Sequence, residues 1–429
     1  MRIGIDCRPM SGGGGIATYT YNLVRNLLIT DKRNHYVLFF DPVRNMPRSL
    51  LRLGRNIDNS CGWVSCPARV SNGVGSKPRT AFGSSEEWVP IKQFSGKVVR
   101  GEISQNLQNL SEQHNCSIKY FPHRGLLDSL PLVHSHILFS QFLKKQGLDI
   151  FHAPAGSLPL FYQGKTVVTA HDLAIYKNPE WFPRFQFFSK NIVVPQSLKK
   201  ATYIIAVSET TKRDLLALFS IPSKKIKVVY EGGLDASLIS SGKRESASDY
   251  ILTISTLEPR KNLVRLVRAF TLYRSYNPQK REKLIIIGGE GWKYRGIYKE
   301  VRGLGAQKEV ILTGYVGEKE KIRLLRQAKV FIFPSLYEGF GLPVVEAMSL
   351  GVPVICSRRG ALGEICGNAA FFINPYVVQS IAEGLSKVLG DRDIREKLAK
   401  KGLERAQIFS WQKCAKKTLE VYQSIHYFL

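Results

Sequence analysis

Two glutamates with seven residues between them, Glu338 and Glu346, stand in the segment FIFPSLYEGFGLPVVEAMSLGVPVICS (331–357). The pattern reads as a strand, a Glu-Gly-Phe-Gly turn, a short helix ended by Gly351, and another strand. Glu338 falls on the loop and Glu346 in the first turns of the helix. Carboxylates so placed can grip two ends of an elongated polar ligand. Between them, the N–H groups of Gly339, Phe340, Gly341 and Leu342 open a helix, where unpaired donors and the positive end of the dipole favour a phosphate.

Three further segments carry chemistry. In ISTLEPRKNLVRLVRAF (254–270) a strand ends in a turn with Arg260 and Lys261, and a helix starts near Asn262. Two cations at the carboxyl end of a strand suit a diphosphate; a solvated basic turn is the plainer alternative. In TVVTAHDLAIYKNPEWFP (166–183), His171 and Asp172 follow an apolar strand. A histidine there can bond a substrate hydroxyl or move a proton, and a lone His-Asp pair is as often structural. SGGGGIATYTYNLVRNLL (11–28) sets four glycines, Gly14 and Gly15 among them, between a strand and a helix. Glycines let the backbone approach an anion, although the spacing is not that of a dinucleotide fingerprint. The single DxD, Asp391 to Asp393 in DRDIREKL, reads as a helix cap rather than a metal site.

These residues need a scaffold of alternating elements. Strands are read at 2–5, 36–40, 149–153, 166–170, 203–208, 250–255, 284–289, 310–314, 330–335 and 353–357. Helices are read at 16–29, 262–274 and about 342–350, with two short ones in 379–406 and an amphipathic one over about 410–427. Such alternation predicts an α/β architecture of two doubly wound, Rossmann-like halves. The polar stretch SSGKRESASD (240–249) is the linker. The domains are then 1–235, with a divergent insertion around 44–146, and 250–409, followed by a final helix (410–429) that packs back on the first half. No internal repeat is evident.

Composition narrows the classes. The 429 residues carry 62 Lys+Arg against 34 Asp+Glu, a charge of +28, with 44% hydrophobic residues. That is a chain with a real core rather than a disordered basic tail. Seven scattered cysteines without a CxxC pair argue against a disulfide framework or a zinc site. The start MRIGIDCRP lacks a secretory apolar region, and no run approaches a membrane span. The expected location is cytoplasmic, peripheral on the inner face of the membrane.

The chain resembles a retaining family-4 glycosyltransferase of the GT-B fold, and is similar to bacterial mannosyltransferase-like members that build lipopolysaccharide or exopolysaccharide. The motifs are the Gly-rich loop, AHDL with PEWF, VSETTKRDLL (207–216), TLEPRKNL (256–263), TGYV (313–316), the E-x7-E segment, GNAAFFINP (367–375) and FSWQKCAKKTLEVY (409–422). Together they cover nearly everything except 44–146. The resemblance implies two domains facing across a cleft. It implies that Glu346 holds ribose hydroxyls and that Arg260 and Lys261 neutralise the donor diphosphate. Gly339 to Leu342 would add N–H donors, and Glu338 would contact the transferred sugar. Gly14 and Gly15 would approach the phosphates from the other domain, His171 would lie beside the sugar, and Val316, in TGYV, would lie beside the base through its backbone. Many members carry an Arg where Thr256 stands, a departure at the diphosphate grip.

The implied reaction is retaining and metal-independent, with no cofactor. The donor is a GDP- or UDP-sugar, with mannose preferred, and the acceptor is a glycan or lipid-linked hydroxyl in cell-surface polysaccharide synthesis. A nucleotide-sugar epimerase or a phosphorylase on the same fold is the alternative. A basic nucleic-acid-binding protein is a weaker one, since no RNA- or DNA-recognition motif is found and no nucleic acid partner is expected. The excess charge lies in the first half: 14 Lys+Arg against 6 Asp+Glu in 44–146, and 10 against 3 in 177–230. Beside the aromatics of WFPRFQFFSKN (181–191), that charge suits an anionic lipid surface.

Overall fold

Continuous apolar runs make buried parallel strands, because helices on both faces leave neither side in water. In a computed structural model of the chain, residues 1–12, 14–41, 115–121, 130, 132–183, 186–235, 238–239 and 248–426 are described. Most of the insertion, Gly13, residues 184–185 and 240–247 of the linker lie outside them.

The first half holds β1 (Arg2–Asp6), β2 (His35–Phe40), β3 (Cys116–Tyr120), β4 (Ile150–Ala153), β5 (Thr166–Ala170), β6 (Tyr203–Ala206) and β7 (Ile226–Val228). They form one parallel sheet in the order β3-β2-β1-β4-β5-β6-β7, in which Ile3 pairs with Tyr36 on one side and Ile150 on the other. The second half holds β8 (Tyr250–Ile254), β9 (Lys283–Ile287), β10 (Val310–Gly314), β11 (Val330–Phe333), β12 (Val354–Ser357) and β13 (Ala370–Ile373). Their order is β10-β9-β8-β11-β12-β13, again with parallel pairing.

Each sheet therefore reverses its winding, between β1 and β4 and between β8 and β11. At such a switch point the connecting helices diverge and leave a crevice beyond the strands' carboxyl ends. The turn with Arg260 and Lys261 leaves β8, and the Glu338 loop leaves its neighbour β11. The two strongest motifs thus emerge side by side.

One finding extends the sequence reading. β3 lies inside the supposed insertion, as does a helical stretch from Val133 to Lys144, so part of 44–146 belongs to the first sheet. The helix Trp411–His426 returns to pack on the helix Gly14–Thr30 of the first half. The core beneath it also takes in Phe340, Leu342 and Val345 from the second half. The Phe340 ring meets Phe409 edge-on at 5.5 Å, and Tyr230 meets the same ring at 5.6 Å. Full burial of one such ring contributes about 1.5–3 kcal/mol, so the side chain of the Glu-Gly-Phe-Gly turn bonds the halves while its backbone stays with the site.

Candidate active site

The EPRKN turn is built by its last residue. Asn262 adopts the left-handed conformation at φ 60°, which asparagine tolerates better than other side chains. Its amide donates to the Pro334 and Pro375 carbonyls at 3.1 and 2.7 Å. The turn is thereby pinned to the loop that carries Glu338. Leu336 N–H completes the join on the Arg260 carbonyl at 2.8 Å.

Across this join sits a buried ion cluster. Glu338 accepts from Arg260 Nη1 at 2.9 Å, from Lys261 Nζ at 2.6 Å and from Ser335 Oγ at 2.5 Å. Arg260 also meets Glu258 at 2.9 Å and, across the cleft, Asp172 at 3.7 Å. Burial opposes ionisation of Glu338, but Arg260 and Lys261 outweigh it and hold its carboxyl at about 2. Burial likewise opposes the Arg260 charge, and Glu338, Asp172 and Glu258 raise its pKa above the ordinary value. The expected sugar ligand, Glu338, and the expected diphosphate ligands, Arg260 and Lys261, thus grip each other. A bound diphosphate must share or take over these cations.

Two glycines bring the Glu338 loop to the other half. A Cβ on Gly339 would lie 1.6 Å from the His171 carbonyl oxygen, so only glycine permits this approach. Gly341 has φ +104° and turns the chain into the helix Leu342–Ser349. Glu346, on that helix, is buried and bonded to Lys321 Nζ at 2.9 Å, which also meets Glu318 at 3.1 Å. Burial raises the Glu346 carboxyl above its ordinary value, partly offset by Lys321.

The remaining candidates spread around this centre. Gly14 and Gly15 are exposed at the start of the first helix, and Tyr19 of that helix stacks edge-on against His171 at 4.7 Å. His171 leaves β5 on the cleft side, but both its ring nitrogens are engaged: Nδ1 with Glu231 at 3.0 Å and Nε2 with the Pro154 carbonyl at 2.7 Å. Both nitrogens are thus already engaged within the first half and the crossover that follows it. The Val316 side chain belongs to the core of the second half. Asp391 caps the helix Arg392–Ala406 by accepting from Ile394 N–H at 3.0 Å. Among the described residues no group of three or more His, Cys, Asp or Glu is arranged to hold a metal.

Sequence reasoning missed Asp172 as a cross-cleft partner, Glu231, Lys321, Ser335 and Glu364. Glu364 accepts from Glu209 N–H, Thr210 N–H and Thr210 Oγ1 at 2.8–2.9 Å. It thus caps a helix of the first half from the second. Behind Tyr337 the cleft opens into a cavity of about 500 Å³ reached by Lys177, Arg213 and Arg359.

The two halves are thus two doubly wound sheets, each with a switch-point crevice, joined by Arg260–Asp172 and Glu364–Thr210. Residues 238–405 match the model of glycosyl transferases group 1, and residues 100–232 match that of glycosyltransferase family 4. The chain is 32% identical over 286 residues to O-antigen chain mannosyltransferase B of Escherichia coli, covering 64% of this chain and 74% of that one. It is 28% identical over 62% of its length to the serotype-specific mannosyltransferase WbdA of Escherichia coli, of which it spans only 34%. Among solved structures, Anabaena HepE in complex with UDP and glucose superposes with a TM-score of 0.64 at 18% identity, over 99% of this chain and 100% of that one. The chain belongs to the family-4, group 1 glycosyltransferases, with the GT-B fold.

Proposed function

We propose that the protein is a retaining mannosyltransferase that moves mannose from a nucleotide-sugar, GDP-mannose before UDP-sugars, to a glycan or lipid-linked hydroxyl in O-antigen-type polysaccharide synthesis. The observation that carries this is the Glu338–Arg260–Lys261 cluster beside the start of the Leu342–Ser349 helix. Support for mannose comes from the relatives' names. In this reading, cleavage of the bond between the sugar's anomeric carbon and the donor phosphate leaves negative charge on the diphosphate. Arg260, Lys261 and the N–H groups of Gly339 to Leu342 stabilise that charge where it develops. The acceptor oxygen attacks from the face the phosphate leaves, and its proton passes to a departing phosphate oxygen. Glu338 holds sugar hydroxyls, Glu346 holds the ribose, and Gly14 and Gly15 close on the phosphates. The Val316 backbone lies beside the base. No metal or cofactor takes part.

Lipid-linked acceptors place the enzyme at a membrane. Among the described residues no helix is long and apolar enough to cross one. Phe187, 72% exposed, stands in the basic segment 177–230, and we assign that face to peripheral docking on anionic lipid at the cytoplasmic surface. Flotation with and without anionic lipid tests this; indifference to lipid charge at low salt contradicts it.

Product analysis tests the activity. Nucleoside diphosphate release that requires acceptor, with an α-linked product by NMR, is the expected result. Conversion of the donor without acceptor would instead mark an epimerase.

A further inference from the structure

Glu231 belongs to neither sheet. It is 3% exposed and lies after β7, on the stretch that crosses from the first half to the second. That stretch is tightly seated. A Cβ on Gly232 would lie 2.4 Å from the Trp411 nitrogen, and Gly233 N–H donates to the Phe409 carbonyl at 3.3 Å. Glu231 therefore has a fixed place in the crossover, and the group it meets is His171.

The hydrogen-bond arithmetic of His171 is restrictive. The Pro154 carbonyl can only accept, so Nε2 carries a proton. A carboxylate faces Nδ1, and it too is satisfied only by a proton there. With both sites filled, the ring has no lone pair to take a proton from an acceptor hydroxyl. Burial lowers the His171 pKa, but Glu231, the Pro154 carbonyl and Asp172 raise it, for a net rise. The Tyr19 ring lies edge-on, and His152 on β4 is held neutral by burial, at about 3, with both nitrogens bonded to Tyr422 and Thr169. Cys414, beyond Glu231, is a buried thiol.

What the ring anchors is the backbone that touches the centre. The His171 carbonyl accepts from Thr211 Oγ1 at 3.2 Å and abuts Gly339, and Asp172 reaches Arg260. We propose that Glu231 is a positioning residue: from the domain crossover it locks His171 as a double donor and so sets residues 171–172 against the Glu338 loop. The proposal rests on the glycosyl-transfer reading of the site, and it replaces proton transfer by His171 with a structural charge.

Glu231→Gln and Glu231→Asp test it in the full-length protein. Nitrogen-15 NMR of labelled histidine reads the His171 ring directly, whether or not any substrate is turned over. In wild type the ring stays doubly protonated at pH 7.5. In Glu231→Gln it becomes a neutral tautomer at that pH. The kcat of Glu231→Gln falls about tenfold to hundredfold, the scale expected for a misplaced site, with donor KM changed less than kcat. Its rate profile gains a loss of activity on raising the pH through about 6.5, the ordinary histidine value, that wild type lacks. Glu231→Asp, which keeps the charge, recovers part of the rate. A wild-type ring that is neutral at pH 7.5, or a Gln variant with the wild-type rate and pH profile, overturns the proposal. Absence of transfer by wild type with the NMR result intact would instead sink the functional reading alone.

Discussion

Replacing Glu338 by glutamine removes one charge from a buried cluster and leaves Arg260 and Lys261 facing an amide. The cost follows from the carboxyl's position. A glutamate moved from 4.5 to about 2 contributes about 3 kcal/mol at neutral pH, at about 1.4 kcal/mol per pH unit. The folded value lies below the unfolded one, so the contribution is complete above about pH 5 and fades as the pH falls through 2. At pH 3 about 1.4 kcal/mol remains. Urea unfolding of wild type and Glu338→Gln at pH 7 and pH 3, followed by circular dichroism, measures the gap. It should be about 3 kcal/mol at the first pH and roughly half that at the second. In the variant the two cations lack their carboxylate, so inorganic pyrophosphate should raise its melting temperature more than that of wild type. A pH-independent gap, or a larger pyrophosphate shift in wild type, would refute the cluster as described.

Three other perturbations follow from the same geometry. Lys321→Met removes the cation beside buried Glu346, whose carboxyl then rises further; nucleotide affinity at pH 7 should fall about tenfold and recover as the pH rises, and a flat calorimetric pH profile would contradict this. Glu364→Gln breaks a charge-assisted cap across the cleft, worth about 1–3 kcal/mol; X-ray scattering should show a more open molecule and donor affinity should drop, whereas an unchanged radius of gyration would count against a latch. Gly339→Ala places a methyl on the His171 carbonyl, so activity should be lost with little loss of fold by circular dichroism, and a fully active variant would mean the loop does not seat there.

Much of this was legible because parallel strands buried on both faces are written as unbroken apolar runs, such as VVT in β5 and LIII in β9. β3 was not: Cys116–Tyr120 is an edge strand, half-buried to exposed, and CSIKY carries too little apolar signal. The cluster was half legible. EPRKN and the E-x7-E segment announce their charges within short loops, but nothing in the letters says that Arg260 and Glu338, 78 residues apart, hold each other before any ligand arrives. Glu231 and His171 are 60 residues apart, and Glu364 and Thr210 are 154 apart. Arg260 and Glu338 meet because β8 and β11 are neighbours in one sheet, whereas Glu364 and Thr210 meet only when the two halves close on one another. Phe340 misleads in the other direction: its place in a phosphate-type turn suggests ligand contact, while its ring packs between Tyr230 and Phe409.

The proposed nucleotide-sugar site lies on the second half, with Glu346 as its proposed ribose anchor. Its most direct test is a thermal-shift panel of GDP-, UDP- and ADP-sugars on wild type and Glu346→Ala. One nucleotide-sugar, GDP-mannose first, should stabilise wild type and lose that effect in Glu346→Ala. If no nucleotide stabilises wild type, or Glu346→Ala responds equally, the donor site is misassigned.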